Sequence, residues 1–161
     1  MTDTIEVREA KSFREVGAFI DLPYRLHAGT QWIPPLRIER RMFLSRRFGT
    51  YAKRLDFALF CAYRGDEVVG RISAHIDRAY NEHHGARWGW FGFFESVDDQ
   101  QVAAALLDVA QRWLTDRGME RMVGPADFTV NDESGIVVEG NELEPMIREP
   151  WHPPYYRTLM E

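Results

Sequence analysis

Four potential metal ligands lie within ten residues of one another: His75, Asp77, His83 and His84. His75 and Asp77 are two residues apart, so they share one face of a predicted strand, and zinc accepts both imidazole and carboxylate ligands. The two adjacent histidines fall in a predicted loop, and no further carboxylate or cysteine is placed to fix a coordination geometry. We therefore expect solvent-exposed loop histidines and no metal site.

Cys61, the single cysteine, is a candidate nucleophile. It lies inside the apolar run from Phe57 to Tyr63, which gives the thiol neither exposure nor an activating neighbour, so we predict a buried small apolar residue. The sequence has no G-x-S-x-G, no Walker loop and no G-x-G-x-x-G motif. Hydrolase, kinase and dehydrogenase functions therefore have no motif to support them.

The composition indicates one globular domain, residues 1–161, because 45% of the chain is hydrophobic and 28% is charged. A net charge of −5 argues against a nucleic-acid partner. Residues 1–11 hold no apolar run of signal-peptide length, and no stretch approaches the roughly 20 apolar residues that span a bilayer. With a single cysteine, this predicts a cytoplasmic protein without a membrane partner.

Charge is segregated along the chain. Residues 25–54 hold eight Lys or Arg and one acid, whereas residues 119–161 hold three basic and nine acidic residues. The basic segment could meet a polyanionic ligand such as a cofactor phosphate, or the acidic segment of the same chain. Alternatively, the basic segment is a helix face and a loop whose charges are simply exposed to solvent.

Local patterns predict the elements that would position these side chains. Ile5 and Val7 alternate with charged residues as in a strand, and Ser12 with Glu15 forms a capping box for a helix that bends or ends at Pro23. Further on, the pattern predicts a hairpin of strands 57–63 and 68–77, followed by the loop at 81–85.

The aromatic strand from Arg87 to Glu95 carries two glycines, Gly89 and Gly92, which suggest a bulge or a close backbone approach. An amphipathic helix follows, capped by Ser96 with Asp99 and ended by Gly118. A strand at 121–123, a possible short strand at 136–138 and a helix from Pro153 to Met160 complete the pattern. The final helix stops after about two turns without a C-cap, so we expect a chain truncated at its C-terminus.

This order of elements predicts an α+β fold, a mostly antiparallel sheet flanked by helices. Together with several short motifs, it resembles the GCN5-related N-acetyltransferase superfamily, specifically an uncharacterised bacterial branch whose members are longer than this chain. The resemblance implies that the terminal strands of the fold are missing. The motifs are Leu22-Pro23-Tyr24, Trp32-Ile33-Pro34-Pro35, Val69-Gly70-Arg71-Ile72, Gly92-Phe93-Phe94-Glu95, Gly124-Pro125 and Pro153-Pro154-Tyr155-Tyr156.

The resemblance implies acetyl-CoA or another acyl-CoA, lodged where the aromatic strand separates from its neighbour. Glu95 would be the general base, with a pKa raised by the apolar side chains around it, and Tyr155 or Tyr156 the general acid. Adjacent tyrosines on a helix point in different directions, so at most one would serve. A structural role for all three is the alternative.

The loop expected to bind the cofactor departs from the superfamily pattern of an arginine or glutamine followed by small residues. At ~6 Å and an effective dielectric of ~20, each carboxylate facing a phosphate charge costs about 3 kcal/mol. Unless arginines of the basic segment compensate, this loop should bind coenzyme A poorly. The residues implied at the cofactor are Phe93, Phe94, Ser96, Val97, Asp98, Asp99 and Gln100.

Substrate contacts are expected from the polar strand face that carries Arg71 and His75, and from the turn-rich stretch that holds Asp127 and Asn131. Two functions remain open. One is acyl-CoA dependent transfer to a small-molecule or peptide amine, and the other is a catalytically silent module of the same fold. A homodimer or a missing C-terminal domain could cover an exposed sheet edge.

Overall fold

A computed structural model describes residues 4–161. One five-stranded sheet has the order β1-β2-β3-β4-β5, antiparallel except for the parallel pair β4 and β5. This confirms the predicted α+β class. The strands are β1 (Ile5–Glu9), β2 (Leu55–Arg64), β3 (Glu67–Asp77), β4 (Trp88–Ser96) and β5 (Arg121–Val123), and the helices are α1 (Phe13–Leu26), α2 (Arg37–Phe43), α3 (Arg78–His84), α4 (Gln100–Thr115) and α5 (Tyr156–Met160).

Two apolar clusters cover the faces of the sheet. One cluster joins β2, β3 and β4 to the apolar stripe of α4, with Leu106 and Leu114 buried at its centre. The other packs Phe19 and Ile20 of α1 on the opposite face, together with Phe128 from beyond β5. No helix within residues 4–161 is long and apolar enough to cross a membrane.

Helix α1 begins with the predicted capping box: Glu15 N donates to Ser12 Oγ at 3.2 Å and Ser12 N to Glu15 Oε2 at 2.8 Å. Pro23 does not end the helix, which continues to Leu26. A proline has no N–H for the carbonyl four residues earlier, which here belongs to Phe19. The Arg71 guanidinium takes that place, because its Nη1 donates to Phe19 O at 2.9 Å.

Strand β4 contains the predicted bulge. Ser73 pairs with Gly92 and Arg71 pairs with Glu95, so β4 has one residue more than β3 between these pairs. Phe93, inside the bulge, has φ of 49°, an uncommon conformation for a non-glycine residue. Its amide donates to Asp127 Oδ1 at 2.7 Å instead of to a strand.

Strands β4 and β5 pair over three residues, and Val123 is followed by the cis peptide Gly124-Pro125. The chain then stays beside β4, because Ala126 N donates to Phe91 O at 2.8 Å. The chain beyond β5 passes directly over Gly92, where a Cβ atom would lie 2.0 Å from Ala126 O. Gly92 is therefore required by a close approach between two backbones.

We expect Gly92→Ala to lower the free energy of unfolding by about 2 kcal/mol or more, since the obstructing atom is backbone and strained packing typically costs ~1–3 kcal/mol. Gly65→Ala is the control: its Cβ meets nothing within 4 Å, and only its φ of 60° adds strain. Denaturant unfolding of both variants checks this. Equal losses would contradict the close approach at Gly92.

Three local predictions are wrong. Asp99, not Ser96, caps α4, because Asp99 Oδ1 accepts from Gln101 N at 2.8 Å while Ser96 is the buried end of β4. The loop at 81–85 is mostly helix α3, since Asp77 caps it and Gly85 ends it in the left-handed conformation. Residues 136–138 form no strand.

Candidate active site

Glu95, at the end of β4 beside the bulge, is the centre of a buried polar network. Its Oε2 lies 2.7 Å from His27 Nε2 and accepts from Tyr156 Oη at 2.6 Å. Its Oε1 accepts from Arg71 Nη2 at 3.4 Å. All four residues are buried, and the partners of this carboxylate are His27, the residue after α1, Arg71 of β3 and Tyr156 of α5.

The pKa of Glu95 is lowered to about 2. Burial by itself raises the pKa, but it is outweighed by the hydrogen bond and charge of His27, the charge of Arg71 and the hydrogen bond from Tyr156. The expectation of a raised pKa is therefore wrong. At neutral pH Glu95 is a stable anion and a weak base, which suits a positioning and charge-balancing group better than a proton acceptor.

This shift predicts a loss of stability in acid. A carboxyl with a lowered pKa in the folded state stabilises the fold above its ordinary pKa of 4.5, and this contribution of about 3 kcal/mol disappears as the pH falls toward 2. Unfolding free energies between pH 6 and pH 2.5 measure it. The comparison is made in a Glu15→Gln and Asp127→Asn background, because hydrogen bonds from Ser12 also lower the pKa of Glu15 to about 2, and burial raises the pKa of Asp127 to about 7, which changes the stability in the opposite direction over this range. An unfolding free energy that does not change with pH in that background would contradict the lowered pKa of Glu95.

Both tyrosines of the predicted acid pair reach the same end of β4, contrary to the expectation that they point apart. Tyr156 Oη accepts from Ser96 N at 2.9 Å, and Tyr155 Oη donates to Ser96 O at 2.8 Å. Burial raises the pKa of Tyr155 to about 12 and that of Tyr156 well above its usual range. The two hydroxyls therefore satisfy both backbone groups of Ser96 and remain protonated.

The loop after β4 does not fit a coenzyme A pyrophosphate. The Asp99 carboxylate already accepts from an amide at the start of α4 and forms an ion pair with Arg64. Gln100 Nε2 donates to Leu159 O at 3.3 Å, which ties the loop to α5. The protein's own carboxylate and helix therefore occupy the groups that a phosphate would need.

A small polar cavity of about 40 Å³, room for one or two water molecules, lies beside Glu95. Its polar lining mixes both charges, and five aromatic rings form much of the remaining wall. The charged and polar lining residues are Glu95, Asp127, Glu133, Arg40, Arg71 and His152, and the aromatic residues are Tyr24, Trp32, Phe93, Phe94 and Trp151.

Asp127, one of the carboxyl groups that line this cavity, has a pKa near neutrality. Burial and the charge of Glu133 raise its pKa to about 7. Burial also raises the pKa of Glu133. One Asp127 oxygen accepts from Phe93 N, so the bulge of β4 fixes the orientation of this carboxyl group. Proton transfer at neutral pH is most efficient for a group with such a pKa.

The segment 137–152 closes the cavity. Asn141 holds it together, because its Nδ2 donates to His152 O at 2.8 Å and its carbonyl accepts from Trp151 Nε1 at 2.8 Å. Val137 N donates to His152 Nδ1 at 3.3 Å, and burial lowers the pKa of His152. His152 is therefore neutral and carries its proton on Nε2.

A wider groove of about 690 Å³ continues from the cavity toward the surface, since both are lined by Trp32, Pro35, Arg40 and Glu133. Two exposed apolar side chains flank it, Met146 and Ile147, which are 72% and 94% accessible. The polar cavity thus shares part of its wall with a groove whose lining is apolar except for Arg40, Glu133, Arg148 and Glu149.

Of the predicted substrate residues, the structure brings Arg71 and Asp127 to the cavity. His75 is instead buried between Trp90 and Phe128, where burial lowers its pKa to about 3, and exposed Asn131 does not line the cavity. Among residues 4–161 no group of three potential ligands could hold a metal ion. Cys61 is buried, and burial raises its pKa to about 12.

Sequence reasoning missed His27 and His152. His27 ends α1, and its ring contacts Trp32, Trp151 and Tyr156. Neither histidine belongs to a recognisable spacing, since the hydrogen-bond partner of the His27 ring, Glu95, lies 68 residues away in sequence. The sequence feature that could have drawn attention to these two histidines is an aromatic residue close to each of them.

Solved structures of acetyltransferases share this fold. An aminoglycoside acetyltransferase from an uncultured soil metagenomic sample superposes with a TM-score of 0.51 in its sisomicin complex, covering 77% of each chain at 15% identity. Its trehalose complex gives the same TM-score and coverage at 16% identity. The chain therefore has the fold of the GCN5-related N-acetyltransferase superfamily, which confirms the resemblance seen in the sequence.

Two curated relatives match nearly the whole chain. Protein YghO of Escherichia coli strain K12 is 35% identical over 156 residues, which are 96% of this chain and 40% of that protein. The bacterial ceramide synthase of Caulobacter vibrioides is 36% identical over 159 residues, 98% of this chain and 41% of that protein. The chain thus spans about two fifths of the length of these relatives. No protein family model matches it.

Proposed function

We propose that this protein takes part in acyl transfer to an amine, and that the cavity beside Glu95 receives the amine. The observation that carries the proposal is the cavity's lining: three carboxylates and five aromatic rings around a small polar space. Carboxylates and aromatic faces both attract an ammonium group, and their attraction is stronger where water is excluded.

Asp127 is the proposed proton acceptor. An ammonium must lose a proton before its nitrogen can attack an acyl carbon, and a carboxylate with a pKa of about 7 can take that proton near neutral pH. Glu95 keeps the role of an anion that holds His27, Arg71 and Tyr156 in place. This replaces Glu95 as the base, while Arg71 remains a proposed substrate contact.

We further propose that the amine carries an apolar chain. The name of one relative, a ceramide synthase, indicates a lipid product containing a fatty amide. In this protein the apolar groove that continues from the cavity past Met146 and Ile147 offers space for a chain attached to the amine.

The acyl donor is proposed to be an acyl-CoA, in line with the superfamily fold, although the loop at Asp99 does not fit the cofactor's pyrophosphate. Thermal shift with acetyl-CoA and with a long-chain acyl-CoA tests this. A bound donor at 100 times its Kd stabilises the protein by about 2.7 kcal/mol, whereas no shift at millimolar donor would exclude it.

A catalytically silent binding module is the second candidate function. It is favoured by the hydrogen bonds at the end of β4, where the hydroxyls of Tyr155 and Tyr156 bind the backbone N–H and C=O groups of Ser96. Such a module would bind the amine and form no amide.

The two functions are separated by incubating the protein with a long-chain primary amine and an acyl-CoA, and measuring the amide by mass spectrometry. Acyl transfer predicts amide formation that increases with enzyme concentration. Calorimetry with the amine alone measures binding. Amine binding without amide formation would leave the silent module. The absence of both amine binding and amide formation would exclude both functions.

A further inference from the structure

A second surface, which shares no lining residue with the polar cavity, combines exposed apolar side chains with arginines. We name it the basic apolar face. Phe13 is 78% exposed, Ile38 71%, Met42 59% and Phe48 70%. These residues come from α1, α2 and the turn after α2. Four large apolar side chains around one groove are more than the scattered exposure that soluble proteins usually show.

The groove at the centre of this face has a volume of about 460 Å³, and its charged lining residues are all cationic. They are Lys11, Arg41 and Arg46, whereas no acidic residue lines it. Lys11 is neutralised by Glu9 at 2.9 Å. Within residues 4–161, Arg41 and Arg46 form no ion pair with a carboxylate, and neither does the neighbouring Arg47.

The arginines extend along the apolar side chains. The Arg41 guanidinium lies 3.8 Å from the centre of the Phe13 ring, and that of Arg47 lies 5.1 Å from the Phe48 ring. Such side chains cover apolar surface with their stems while the charged heads stay beside it. Helix α2 has no fully buried side chain and exposes Ile38 and Met42 one turn apart.

We propose that the basic apolar face docks on a bilayer that contains anionic phospholipids. The apolar side chains would enter the boundary between headgroups and acyl chains, and Arg41, Arg46 and Arg47 would meet lipid phosphates. The exclusively cationic lining supplies the charge complementarity, and guanidinium groups bind phosphate well. This surface is independent of the proposed function. It differs from the expectation of no membrane partner, which considered only segments that cross a bilayer.

Flotation with vesicles of phosphatidylcholine, alone or with 30% phosphatidylglycerol, tests the proposal. We expect the protein to float with the anionic vesicles and to bind neutral ones at least tenfold less, and we expect binding to weaken as salt rises from 0.1 to 0.5 M. Equal binding to both vesicles, or binding to neither, would overturn the proposal.

Paired variants locate the surface. One double variant, Ile38→Ser with Phe48→Ser, removes two apolar side chains that would enter the bilayer. The other, Arg46→Gln with Arg47→Gln, removes two positive charges. Each double variant should weaken vesicle binding by about tenfold or more. Val130→Ser with Leu143→Ser is the matched control, since these side chains are 74% and 64% exposed and lie outside the face.

Thermal unfolding verifies that each paired variant is folded, and the exposure of all the replaced side chains makes large losses unexpected. Unchanged vesicle binding by both pairs of face variants would overturn the proposal. So would a dimer in light scattering that the Ile38→Ser and Phe48→Ser pair dissociates, because the occupant of the face would then be a second copy.

Discussion

Glu95→Gln is expected to lower the free energy of unfolding at pH 7 by about 3–5 kcal/mol. The substitution keeps the size of the side chain but leaves Arg71 and His27, which are 8% and 2% exposed, without their carboxylate. Removing one partner of a buried ion pair typically costs this much, because the remaining charge loses the group that compensates its burial. Denaturant unfolding of the wild type and the variant measures the loss.

Glu67→Gln is the matched control for this prediction. It also removes a carboxylate from an arginine, Arg25, but both side chains of that ion pair are about half exposed. Exposed pairs contribute only about 0–1 kcal/mol. A loss for Glu95→Gln no larger than that for Glu67→Gln would show that the network is not charge-compensated as the structure indicates.

Asp127→Asn is expected to reduce the rate of amide formation by about 10²–10⁴-fold, the usual contribution of a positioned proton acceptor. The amide oxygen of asparagine can still accept from Phe93 N, so the bulge of β4 should persist and the fold should survive. Steady-state rates with the amine and acyl-CoA, measured over pH 5.5–9, provide the test.

The pH profile separates a chemical role of Asp127 from a structural one. In the wild type the rate should rise with pH and level off above about 7, because Asp127 must lose its proton to act as a base. The variant should lack this step. Asp66→Asn, at an exposed turn, serves as the control and should keep both rate and profile. An unchanged profile in Asp127→Asn would assign the proton transfer to another group.

The stability of the wild type should also depend on Asp127. A carboxyl whose pKa is raised in the folded state stabilises the fold below its ordinary pKa of 3.8, and this contribution is lost as the pH rises through about 7. We therefore expect the melting temperature to fall from pH 5 to pH 8 in the wild type, and to fall less in Asp127→Asn.

Local patterns in the sequence predicted most elements because the forces that set them act over a few residues. The capping box of Ser12 and Glu15, the apolar stripe of α4 and the glycine-marked bulge at Gly92 are examples. The error at Ser96 and the continuation of α1 past Pro23 have tertiary causes. Ser96 is bonded by tyrosines about 60 residues later, and Arg71 takes the carbonyl that Pro23 leaves without a donor.

The sequence by itself determined the α+β order of elements and placed Glu95, Tyr155 and Asp127 among the residues to consider. Only the tertiary structure decided their protonation. Glu95 has a lowered pKa because His27 and Tyr156 arrive from 68 and 61 residues away. Asp127 has a raised pKa because burial and the charge of Glu133 outweigh the Phe93 amide and the nearby arginines. A pKa depends on burial and on the charges nearby, and chain folding, not residue type, sets both.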